Sequence, residues 1–120
     1  MNKKTLILGA SFHPERYSFL AMNRLKAAGY EVVGIGKQNA IVAGEEILTE
    51  PIPLSNIHTI TLYINPVHQK QYYDYILSLK PQRIIFNPGA ENEELAQLAL
   101  KNNIQSIEAC TLVMLSTGQY

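Results

Sequence analysis

Tryptophan is absent from this chain, and aspartate and cysteine occur once each. Each scarcity excludes something. The single thiol, Cys110, can close no intramolecular disulfide and build no cysteine-rich zinc cluster, so a reducing, cytoplasmic setting suits it. The sole aspartate, Asp74, lies within a helical pattern, and no serine has the G-x-S-x-G context, which leaves Ser-His-Asp catalysis with little support. No excess of either charge exists: ten basic residues balance ten acidic ones. The chain therefore offers no global field for a nucleic-acid backbone or an anionic membrane, and any recognition of phosphate must be local. Nowhere is there an apolar run of about 20 residues. Residues 1–4 lead straight into a strand-like segment without an apolar leader or cleavage site. The expectation is a soluble, unexported chain with neither nucleic-acid nor membrane partners.

What is present suits one domain spanning residues 1–120, with 47% hydrophobic content to enclose a single core. Residues 5–8 form an apolar, strand-length run closed by Gly9, and from about Tyr17 the apolar residues recur at helical spacing as Ala21, Leu25 and Ala28. Gly29 ends that helix, and "YEVVGIG" follows as a second strand. From Lys37 to Ile57 the periodicity is lost among prolines and a glycine, which predicts an irregular crossover with at most one short edge segment. "TITLYI" reads as a third strand and residues 66–80 as one helix with Tyr72, Tyr75, Ile76 and Leu79 on one face. "QRIIFNPG" gives a fourth strand and turn, "ENEELAQLALKNN" a helix, "IQSIEA" a fifth strand and "CTLVMLSTG" a last short helix. The order predicts an α/β fold, a doubly wound parallel sheet of about five strands.

In such a sheet ligands bind beyond the carboxyl ends of the strands. At the first of these, Gly9, Ser11, Arg16 and Ser18 surround a turn that enters a helix, where backbone N–H groups and the helix dipole attract an anion. The same residues also suit a plain turn, with Gly9 permitting the reversal and Ser11 or Ser18 capping the helix. The dinucleotide fingerprint fails, because Ser11 and Pro14 stand where glycines are required and the second strand ends in Lys37 with no acid. Lys37 favours a ligand carrying a phosphate, although an exposed lysine is commonly only solubilising. His13, His58 and His68 lack metal-ligand spacing and are expected to be ordinary surface or packing residues. Glu91, Glu93 and Glu94 are expected to serve a helix dipole rather than acid–base chemistry. Cys110 opens the last helix, where a thiol can be activated, yet a buried, inert cysteine is the more frequent case.

Taken together, "GASFHPERYS", "LKAAGYEVVGIG", Gly44, "YINP", "NPGAENEE" and "IEACTLVML" resemble the small coenzyme A-binding domain proteins over nearly the whole length. Those proteins are similar to the N-terminal domain of the succinyl-CoA synthetase alpha subunit. The resemblance implies a Rossmann-like fold and coenzyme A or an acyl-CoA as ligand. It implies a phosphate cradle of Gly9, Ala10, Ser11, Arg16 and Ser18. The turn at Gly36 and Lys37 replaces the family's V-N-P-like sequence, Asn65 and Pro66 match the turn after the third strand, and Asn87, Pro88 and Gly89 stand where many relatives have Trp-x-Gln. The reading that follows is a non-catalytic coenzyme A binding module with a regulatory use, free to form a homodimer. The alternatives are a small NADP-dependent oxidoreductase or acyl-CoA transferase, and an interaction subunit that has lost its ligand.

Overall fold

A computed structural model describes residues 3–120; Met1 and Asn2, and with them part of the expectation for residues 1–4, lie outside the described residues. The chain runs β1 (Thr5–Ala10), α1 (Tyr17–Ala27), β2 (Val32–Gly36), β3 (Ala40–Val42), β4 (Glu45–Leu48), β5 (Thr59–Leu62), α2 (Pro66–Gln69), a 3₁₀ turn (Lys70–Tyr72), α3 (Tyr73–Ser78), β6 (Arg83–Phe86), α4 (Glu93–Lys101), β7 (Gln105–Glu108) and α5 (Thr111–Ser116). One sheet takes the order β3-β4-β2-β1-β5-β6-β7, parallel throughout except for β3, which runs antiparallel to β4.

The alternation of side chains along the strands sorts the core into two layers. Leu6, Leu8, Ile60, Leu62, Ile84 and Phe86 face one side, where Ile76 of α3 and Leu95 and Ala99 of α4 cover them. Ile7 and Ile85 face the other, against Met22 and Leu25 of α1 and Met114 of α5. Central strands buried on both faces read as apolar runs, which is why β1 and β6 were visible in the sequence, whereas β5 alternates threonine with Ile60 and Leu62 and buries both sets.

The sheet has seven strands, not five. The two extra ones come from the segment expected to be an irregular crossover, where β3 and β4 form a hairpin on the edge beyond β2. Ala43 (φ 54°) and Gly44 (φ 81°) make its two-residue loop, both with positive φ, the form that matches the natural twist of paired strands. Pro51 and Pro53 lie after β4 and break nothing within it. The helix expected over residues 66–80 is also divided, by the 3₁₀ turn Lys70–Tyr72. Within it Gln69 is fully buried, and its side-chain amide donates to the carbonyl oxygens of Ile64 (2.9 Å) and Ala90 (2.7 Å). That anchorage fixes the first helical turn independently of the rest.

After β2 the chain builds the hairpin and then crosses back over β1 to form β5 on the far side. The connections leaving β1 and β5 therefore go to opposite faces of the sheet, toward α1 and toward α2 respectively. Between them the carboxyl ends of β1, β2 and β5 are left uncovered, the place where open α/β sheets accept ligands. Among the described residues no helix is long and apolar enough to cross a membrane.

Candidate functional site

At the carboxyl end of β1 the pairing register slips: Leu8 lies opposite Ile35, but Ala10 lies opposite Gly36. Gly9, at φ 99°, absorbs the extra residue. A Cβ there would lie 2.7 Å from Ile64 Cγ2 and 2.9 Å from the Tyr63 carbonyl carbon, so glycine is demanded by space as well as by φ. A Cβ at Gly36 would in turn collide with the Ala10 carbonyl oxygen. Two glycines thus let β1, β2 and β5 close up where their ends meet.

The turn beyond carries the candidate cradle. Ser11 Oγ accepts from the His13 backbone N–H (3.0 Å), and the Arg16 N–H bonds the His13 carbonyl (3.0 Å). Arg16 is the N-cap of α1, but no side chain caps that helix and no acid occupies its first turn. Its positive end is left to whatever lies in front of it.

In front of it lies a cleft of about 590 Å³, within the size range of small-molecule sites. Its lining brings together Gly9, Ala10, Ser11 and Arg16 from the first turn, Gly36 and Lys37 from the second, and Asn65 from the third. An adjoining recess of about 410 Å³ shares Gly9, Ser11, Arg16 and Tyr63 with it and adds Ser18 and Glu15. The cleft itself contains no carboxylate, while Arg16, Lys37, His13 and His68 all line it. Two of those four basic residues, His13 and His68, had been expected to be ordinary; they come from segments far apart in sequence, and only the sheet brings them together.

The other candidates are placed differently. Pro66 starts α2 outside the cleft lining, and Asn65 Oδ1 accepts from the His68 backbone N–H as the cap of that helix. Pro88 and Gly89 are outside the lining too. Asn87 is buried: its amide donates to Thr61 Oγ1 (2.7 Å) and the Leu62 carbonyl (2.8 Å), and its oxygen accepts from the Thr111 N–H (2.9 Å). It clamps β5, β6 and the start of α5, and its hydrogen-bonding capacity is taken up within the protein. The carboxylates near it also have structural tasks. Glu91 accepts from the Gly89 N–H, and Glu93 and Glu94 occupy the first turn of α4. Cys110 is half-buried as the N-cap of α5.

Gln69 and Asn92 carry the wall opposite the cradle, and neither stood out in the sequence. Asn92 caps α4 through Leu95 N–H (3.2 Å) and donates to Gln69 Oε1 (2.8 Å) and the Tyr73 hydroxyl (2.8 Å). Tyr63, shared by cleft and recess, has a hydroxyl with no hydrogen-bond partner among the described residues, although Thr61 and Thr111 lie beside it. Burial pushes its phenol up to about 12, so it stays neutral.

The family model described as the CoA binding domain matches residues 3–116. The chain belongs to that family. A solved structure of an uncharacterized protein is 49% identical, with a TM-score of 0.97 over 100% of this chain and 99% of that one. A Thermus thermophilus protein (20% identity, TM-score 0.85, 98% of this chain and 90% of that one) and a hypothetical protein from Pyrococcus horikoshii (20%, 0.86, 96% and 82%) share the fold. No curated relative matches the chain. For a CoA binding domain, the helix start with no side-chain cap and the cleft free of carboxylates are the features that bear on an anionic ligand.

Proposed function

We propose that this chain binds coenzyme A or an acyl-CoA without transforming it, and that the bound state is read by another component of a reducing cytoplasm. The carrying observation is the cleft in which Arg16, Lys37 and the end of α1 converge with no opposing carboxylate. A pyrophosphate over the turn of Gly9, Ala10 and Ser11 meets the helix end and the Arg16 guanidinium, with Ser18 at the recess. Lys37, beside Gly36, suits the ribose phosphate. Asn65 flanks the path of the remainder, and Pro66, Asn87, Pro88 and Gly89 support that path from outside the cleft. The non-catalytic reading is supported by Ser11, whose hydroxyl accepts from a backbone amide rather than facing a base, and by a lining that holds neither cysteine nor acid.

Thermal melting with four ligands tests this reading. Coenzyme A should stabilise the protein by about 2.7 kcal/mol at a hundredfold excess over its dissociation constant. Dephospho-coenzyme A should do so less, and NAD and NADP little. Stabilisation by NADP alone would transfer the site to a dinucleotide, and silence from all four would favour an interaction subunit.

A further inference from the structure

The phosphate cradle leaves both histidines of the cleft without a task. His13 is exposed on the β1–α1 turn and stacks on Phe12, with ring centroids 4.4 Å apart and planes 27° apart. His68 is exposed on α2, where among the described residues only its backbone groups make hydrogen bonds. Both line the cleft, from segments rooted at β1 and at β5. Neither ring has a carboxylate partner among the described residues. The titratable groups that line the cleft with them are Arg16, Lys37 and the phenols of Tyr63 and Tyr72. Glu15 faces the adjoining recess, and Lys70, two residues beyond His68 along the chain, is paired with Glu94.

A cavity of this volume is roughly 10 Å across, so a polyanion filling it comes within about 5 Å of either wall. At that range a negative charge favours the protonated imidazole, which has two N–H donors where the neutral ring has one. We propose that His13 and His68 form a proton-coupled clamp on the ligand's phosphates, taking up protons as the polyanion enters, so that affinity rises as the pH falls below neutrality. The identity of the ligand rests on the coenzyme A reading. The proton uptake rests only on the charge of the cleft. Histidine is suited to this because its ordinary titration range spans physiological pH, unlike that of arginine or lysine.

The test is proton NMR of the three histidine rings, titrated in pH without ligand, with inorganic pyrophosphate and with coenzyme A. His58 lies at the amino end of β5, away from the cleft, and serves as internal reference. The titration midpoints of His13 and His68 should rise by roughly one pH unit with either ligand while His58 stays put. Calorimetry should then show the two rings together making coenzyme A binding roughly fortyfold weaker at about pH 8 than at about pH 6, about sixfold for each ring. In the His13→Gln/His68→Gln double variant that weakening should be gone, leaving only a shallow trend of the opposite sign. The same variant subtracts the ligand's own phosphate ionisation, which acts in the opposite direction. Pyrophosphate moving both rings while coenzyme A fails to bind would uphold the clamp and sink the coenzyme reading. Coenzyme A binding with both midpoints unmoved would overturn the clamp alone. Rings unmoved by either ligand would overturn it outright.

Discussion

Gly36→Ala is the most demanding single change for this architecture, because the added Cβ meets backbone rather than a flexible side chain. It would collide with the Ala10 carbonyl oxygen, lie 3.1 Å from the Ala10 carbonyl carbon and 3.3 Å from Ile47 Cγ2. Ordinary contact could be restored only by parting β1 and β2 by about 1 Å at their carboxyl ends. Overpacking of this kind costs about 1–3 kcal/mol, and the upper end applies where no side chain can rotate away. For a domain of this size that corresponds to a melting point lower by roughly 10 °C. The damage to binding should exceed the damage to folding. Ala10 leads directly into Ser11 and the cradle, and a ligand site must be held to within about 0.5 Å, so coenzyme A affinity should fall at least roughly tenfold. Gly44→Ala is the control: its Cβ meets open space, and only the positive φ of 81° is strained, which costs about 1–2 kcal/mol. It should lower the melting point modestly and leave affinity untouched. Differential scanning calorimetry with titration calorimetry on both variants decides the matter. A Gly36→Ala protein that melts and binds like the parent would refute the close-approach argument.

Further outcomes follow from the same geometry. Arg16→Ala should weaken coenzyme A binding by roughly 1.5–3 kcal/mol in titration calorimetry, the range for a charge-assisted hydrogen bond, and unchanged affinity would remove Arg16 from the site. Asn87→Leu strips partners from the Leu62 carbonyl and the Thr111 N–H, so urea unfolding should show a loss of about 2–4 kcal/mol; near-neutral behaviour would refute the clamp on α5. Burial, reinforced by Arg83 and Lys3, holds His58 below the usual histidine range. The unfolded chain therefore binds the proton more readily, so this group lowers stability as the pH falls through about 6.5 and has no such effect above it. His58→Gln should flatten that acid limb in pH-dependent melting, and an unaltered limb would assign it elsewhere. Cys110→Ser should leave coenzyme A binding intact, while an acyl adduct trapped on Cys110 by mass spectrometry would count for an enzyme.

The apolar runs of β1 and β6 and the Gly29 helix stop could be read directly, because burial on both faces and a left-handed turn leave local marks. The β3–β4 hairpin could not. Its strands are only three and four residues long, and one of its two loop positions is held by Ala43 instead of the usual Asn or Asp. The divided helix after Asn65 was hidden for a different reason: the buried amide of Gln69 answers to carbonyls of two other turns, and no periodicity encodes that. At the site, the first turn was legible because glycine, hydroxyl and arginine sit close together in sequence. The two histidines were not, since their common cleft is a product of strand order. Asn87 reads as a turn residue in sequence and becomes a clamp only through the fold.

The cleft draws its lining from Gly9 to Gln38 and again from Tyr63 to Tyr72, with β1 between the two walls. During synthesis, therefore, the amino-terminal half can pair β1 with β2 and seat the hairpin while possessing only half of the cleft. The second wall emerges with β5 and α2, but Gln69 has no hold on Ala90 or Asn92 until the chain has grown another twenty residues or so. A ligand arriving at the ribosome would thus find the cradle early and the opposite wall loose. Anything lying across both walls would therefore span the part of the sheet made first and the part made later.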